Sequence, residues 1–174
     1  FFLDLNGNDV WDGLGIDAST PSFGIAGDIP VVGDWNGDGI DEIGIFRPSS
    51  HSFFLDLNGN RIWDTGIDGV YPFGTSTDLP VTGDWDGDGI DEIGVWRPAK
   101  RSFYLDTNGN HTWEWGTDLF APFGTSTDLP IIGDWNGDGF DEIGIWRPSN
   151  HRFFLDTNAN DTWDVGIDLI ASFG

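Results

Sequence analysis

Residues 83–98 read GDWDGDGIDEIGVWRP. Two patterns meet in this stretch. Asp84, Asp86 and Asp88 alternate with Trp85, Gly87 and Gly89, and Glu92 closes the run. From Glu92 the alternation becomes that of a strand, with Ile93 and Val95 on one face and Trp96 on the other, until Pro98 stops it. The stretch recurs as GDWNGDGIDEIGIFRP at 33–48 and as GDWNGDGFDEIGIWRP at 133–148. Self-similarity at a fixed spacing of 50 residues marks a repeat architecture.

Working outward, FFLDLNGN at Phe1 and Phe53 returns as FYLDTNGN at Phe103 and FFLDTNAN at Phe153. FGTSTDLP occurs at Phe73 and again at Phe123. The chain divides into a half unit, 1–24, and three full units, 25–74, 75–124 and 125–174, each ending in Phe-Gly. Within the second unit, strands are expected at 92–97 and 103–105, joined as a hairpin by the short loop Ala99 to Ser102. Further strands are expected around 80–82 and at Thr112-Trp113. No helical period appears, and 26 Gly and 9 Pro would break helices throughout. The fold expected is all-β, a tandem array of units of about 50 residues. Large apolar groups on both strand faces require cover on both sides. Stacked β-propeller-like blades supply it, and an open β-solenoid or fibre-forming array is the alternative.

The acidic loop carries the chemistry. Oxygen ligands fall at positions 1, 3 and 5, a backbone carbonyl is available at 7, and a carboxylate stands at 9. That spacing wraps side chains around one hard cation, which takes about 6–8 oxygens. The ligand sets are Asp34, Asn36, Asp38, Ile40 and Glu42; Asp84, Asp86, Asp88, Ile90 and Glu92; and Asp134, Asn136, Asp138, Phe140 and Glu142, with Ile40, Ile90 and Phe140 offering their carbonyls. Calcium suits such a loop better than magnesium, which dehydrates reluctantly and demands a stiff octahedron.

A second loop has the same spacing in all four copies. Its candidate ligands are Asp4, Asn6, Asn8, Val10 and Asp12; Asp56, Asn58, Asn60, Ile62 and Asp64; Asp106, Asn108, Asn110, Thr112 and Glu114; and Asp156, Asn158, Asn160, Thr162 and Asp164. Two readings stand for it. Asn-Gly between apolar strands is a strong hairpin signal, and position 6 holds Asp9, Arg61, His111 or Asp161 instead of Gly. Against the hairpin, Ala159 replaces the Gly in the last copy, and the ninth-position acid has no role in a hairpin. If calcium binds here, fewer anions among the ligands predict weaker binding than in the first loop.

Charge supports a cation role. The chain has 30 acids against 7 Lys and Arg, a net charge of −23. Thirteen acids lie in the first loops and eight at ligand positions of the second, and seven divalent cations would bring −23 to −9. The aromatic content, 10 Trp and 14 Phe, excludes the disorder that such acidity usually marks. The sign of the charge argues against nucleic acid and anionic membrane as partners, and no apolar run is long enough to span a bilayer. With no Cys, neither a disulfide framework nor a thiolate metal site is available.

Phe-Gly followed by Gly-Asp-x-[Asn/Asp]-Gly-Asp-Gly-x-Asp and an apolar strand resembles the FG-GAP repeats of integrin α-subunit propellers and the related VCBS repeats of secreted prokaryotic proteins. The resemblance covers essentially the whole chain. It implies a β-propeller with a calcium ion in each first loop and an extracellular or cell-surface location. Glu at the ninth position, where those repeats carry Asp, is a departure. The DxNGNxxWD element is similar instead to calcium loops of bacterial surface-adhesin domains.

Arg47, Arg97 and Arg147 each follow an aromatic and precede Pro. Bidentate pairing with a loop carboxylate of the same or the next unit is expected. His51, His111 and His151 are expected in solvated loops, and the Trp residues mostly between sheets. No nucleophile–base pair stands out, so an enzyme is not expected. The expected function is that of a calcium-stabilised structural or adhesive element. Its partners are copies of itself or further repeats of the same chain, since the sequence lacks an initial Met and begins and ends on the same half unit. A carbohydrate- or surface-protein-binding module of a larger secreted protein is the alternative.

Overall fold

Short apolar runs punctuated by Gly, Pro and acidic turns leave no segment long enough for a helix, and none forms among the described residues. The computed structural model describes residues 1–20 and 23–172; the Phe-Gly that closes the third unit lies outside them. It is all-β, with four antiparallel sheets.

The half unit contributes β1 (Phe2–Leu3) paired with β2 (Ala18–Ser19). Each full unit then forms a four-stranded meander: β3 (Ile29–Gly33), β4 (Glu42–Arg47), β5 (Ser52–Leu55) and β6 (Gly69–Pro72); β7 (Leu79–Gly83), β8 (Glu92–Arg97), β9 (Ser102–Leu105) and β10 (Leu119–Pro122); β11 (Leu129–Gly133), β12 (Glu142–Arg147), β13 (Arg152–Leu155) and β14 (Leu169–Ser172). Register repeats between units: Gly94 faces Leu105 as Gly44 faces Leu55 and Gly144 faces Leu155. A Cβ on Gly94 would lie 2.6 Å from the Leu105 side chain and 3.2 Å from the Tyr104 carbonyl oxygen, so a larger residue would force the buried Leu105 to shift.

Two sequence expectations need correction. Thr112-Trp113 is not a strand; the fourth strand of the unit is β10, six residues further on. Ser102, expected in a loop, opens β9, and the hairpin turn ends at Arg101, whose φ of 56° completes it.

The middle strands are buried on both faces, as the apolar pattern demanded. The core is shared between neighbouring sheets. Phe46, Phe53, Leu55 and Phe73 of the first full unit pack with Ile93 and Val95 of the second. Trp96, Phe103, Leu105 and Phe123 pack in turn with Ile143 and Ile145 of the third. Phe1 and Leu3 of the half unit lie against Phe23, Ile43 and Ile45. The first strands of the meanders also meet, and Thr82 Oγ1 donates to the Val32 carbonyl at 2.8 Å.

Candidate metal centres

The first loops connect the first two strands of each meander, so the β3–β4, β7–β8 and β11–β12 pairings fix both loop ends. The chain turns because Gly at positions 4 and 6 takes positive φ: 78° at Gly87 and 85° at Gly89. The leading aspartate organises the turn. Asp84 Oδ1 accepts from the amides of Gly87 and Asp88, and Oδ2 from that of Gly89. Asp34 and Asp134 do the same. Asp88 Oδ1 accepts from Ile90 N at 2.8 Å. Glu92 is anchored by Trp85 N on Oε2 at 3.1 Å. In the first and third full units Asn36 and Asn136 donate to the other oxygen of Glu42 and Glu142.

The carboxylates converge. Oxygens of Asp84, Asp86 and Asp88 lie within 4.8 Å of one another, and so do those of Asp134, Asp138 and Glu142. These two groups have the hard oxygen donors that calcium takes. The acids of the loop at 34–42 form no such group of three. Burial raises the Glu92 carboxyl to about 8 and the Glu42 carboxyl to about 7, with the neighbouring loop aspartates adding to the rise.

The second loops take the same shape. Asn-Gly does not make a two-residue hairpin, for residues 56–68 separate β5 from β6. Position 6 adopts positive φ despite its side chain: 61° at Asp9, 66° at Arg61, 60° at His111 and 61° at Asp161. Ala159 holds 54° where the sister loops have Gly. The amide of position 6 donates to the leading aspartate: Arg61 N to Asp56, His111 N to Asp106 and Asp161 N to Asp156, each at 2.6 Å, and Asp9 N to Asp4 at 2.7 Å. Positions 3, 5 and 9 are drawn together. Asn60 Nδ2 donates to Asp64 and Asn110 Nδ2 to Glu114, at 2.5 and 2.9 Å, with Asn58 and Asn108 on the same oxygens. Asn6 and Asn8 meet Asp12, and Asn158 and Asn160 meet Asp164, in the same way. Positions 7, namely Val10, Ile62, Thr112 and Thr162, close the turn by donating to position 5.

Three sets of acids were not singled out from the sequence. Asp17, Asp68, Asp118 and Asp168 clasp the neck of each second loop, accepting the position-9 amide on one oxygen. In three copies the other oxygen takes the position-2 amide, of Leu5, Leu57 or Thr157. The recurring Gly-x-Asp just after each loop was their signal. Asp91 and Asp141, counted above among the loop acids, turn away to the preceding unit. Asp91 Oδ2 accepts from Asp34 N at 2.9 Å and Asp91 N donates to Asp34 O at 2.8 Å; Asp141 repeats this with Asp84. Asp28, Asp78 and Asp128 pair bidentately with Arg47, Arg97 and Arg147 of their own unit. Each guanidinium also lies over an aromatic ring, Phe54, Tyr104 or Phe154. The expected bidentate arginine pairing is present, with an acid outside both acidic loops.

His51 and His151 are exposed in hairpin turns. His111 departs from expectation: its ring stacks on Tyr71 of the preceding unit at 3.6 Å, and burial lowers its pKa. Comparison with protein-family models, with curated proteins and with solved structures gives no match for this chain.

Proposed function

We propose that the chain is a calcium-rigidified structural or adhesive repeat of an extracellular or cell-surface protein, its meanders stacked as blades of the FG-GAP or VCBS kind. The observation that carries this reading is the convergence of Asp84, Asp86 and Asp88, and of Asp134, Asp138 and Glu142, inside loops of metal-ligand spacing. Like charges held that close repel one another unless a cation lies among them. Further repeats, or further copies of the chain, are the natural neighbours. The turn after each second loop faces apolar side chains outward, with Leu14 and Ile16, then Ile67, Trp115, and Val165 and Ile167 exposed. Among the described residues no helix is long and apolar enough to cross a membrane.

Calcium should raise the melting temperature well above its value in chelator, because an ion that binds only the folded state stabilises it by mass action. Identical melting curves with and without calcium would overturn the reading. Sedimentation with calcium then separates a lone chain from an assembly.

A second reading, a carbohydrate-binding module, has one specific support. Arg97, Tyr104, Trp113 and Trp115 line a groove of about 350 Å³, with Trp115 73% exposed. Glycan binding lost in Trp115→Ala would favour it.

A further inference from the structure

The leading aspartates of the two loop types live in different surroundings. In the first loops both oxygens are already met by backbone amides, three on Asp84 and four on Asp34. In the second loops Asp56 and Asp106 are 0% exposed. Each has one oxygen on the position-6 amide. The other, Oδ1, is buried and has no hydrogen-bond partner among the described residues. Each carboxylate accepts from the amide five residues on in its own loop, so both groups point into their loops. Facing Asp106 from the neck is Asp118, whose own Oδ1 is also buried and unpartnered. A buried ionised oxygen without a partner is costly, and two that repel each other are more so. A divalent cation in the loop resolves both.

We propose that the second loops led by Asp56 and Asp106 are calcium sites, and that the fold depends on their filling more than on that of the first loops. This rests on the reading of the chain as calcium-binding. It reverses the order expected from counting anions, because what the cation relieves is the burial of an unpartnered oxygen, not the charge of an exposed one. Beside Asp56 or Asp106, the ligands are the exposed Asn58 and Asn60 with the half-buried Asp64, or the exposed Asn108, Asn110 and Glu114. The asparagine Oδ1 atoms each accept one backbone amide two residues on and keep a second lone pair for a cation. The necks clasped by Asp68 and Asp118 fix the geometry before the ion arrives.

The test is calorimetric melting of the whole chain, in calcium and in chelator, with bound calcium counted by equilibrium dialysis. Asp106→Asn should melt above the parent in chelator, since a buried charge is gone, and below it in calcium, with one ion fewer bound. Asn110→Ala, which removes an exposed ligand, should lose one ion and more of the calcium-induced rise in melting temperature than Asp88→Ala. If Asp106→Asn lowers the melting temperature equally in both buffers, Asp106 is only an acceptor for the His111 amide and the inference fails. If calcium stabilises the parent but Asn110→Ala keeps the full ion count and the full rise, the inference fails while the calcium reading stands. If the parent binds no calcium, both fail.

Discussion

Ala159 shows how strongly a second loop imposes its shape. It takes φ 54° where Gly7, Gly59 and Gly109 take 67°, 66° and 64°. A Cβ at the sister Gly59 would lie 3.2 Å from Glu42 Oε1 and one at Gly109 3.6 Å from Glu92, so the strain at Ala159 lies mainly in its own left-handed backbone. Ala159→Gly should therefore raise stability by about 0.5–1 kcal/mol, the left-handed penalty less the entropy that Gly adds to the unfolded chain. Thermal or urea melting checks this, and no change would mean that the strain is relieved elsewhere. Arg97 and Asp78 offer the opposite case. Asp78 is buried and its partner side chain is 23% exposed. Asp78→Ala should cost about 3–5 kcal/mol by leaving the guanidinium unpaired. That loss should be the same with and without calcium. The arginine's need for a partner was legible from a lone cation set among acids. Its partner was not, because Thr-Asp-Leu-Pro reads as a turn, and the pairing spans 19 residues that only the meander brings together.

Between elements, Asp91 and Asp141 tie one first loop to the next. The carboxylate of Asp91 serves the preceding unit, with burial the main cause of a pKa raised to about 6. Asp91→Ala should destabilise by about 1.5–3 kcal/mol, the range for hydrogen bonds to charged groups. Bound calcium should stay unchanged, because this side chain faces away from its own loop. A lost ion would show it to be a ligand instead. Such contacts have a separation of 57 residues and no periodic signature, so reading one unit could not reveal them. The fourth strand was hidden for another reason. Trp113 is apolar because it packs from a loop against Phe73 and Tyr104. Its hydrophobicity imitated a strand, whereas β10 is brief and ends in Pro122. The loops themselves were legible because ligand alternation, Gly at the turn and a closing acid all fall within nine residues.

Across the whole molecule, the proposed calcium binding predicts that the acids make stability respond to pH differently with and without the ion. Burial is the main cause that raises Glu92 to about 8, Glu42 to about 7, and Asp106 and Asp161 to about 6, against 4.5 or 3.8 for the free groups. In chelator the folded chain thus holds these protons more tightly than the unfolded chain does. Their contribution is complete below the free-group values and is lost as the pH climbs through 6 to 8. Asp28 runs the other way. Arg47 holds it below its ordinary value, so its contribution is present above pH 4 and disappears as the pH falls further. Calcium-free protein should therefore be most stable in weak acid and should melt progressively lower from pH 5 to 8. Calcium binds only ionised carboxylates, so its affinity grows over the same interval. Melting temperatures in calcium and in chelator should nearly coincide at pH 5 and separate steadily towards pH 8. Curves that stay parallel across the range would mean that the ion binds elsewhere and leaves the buried acids as they are.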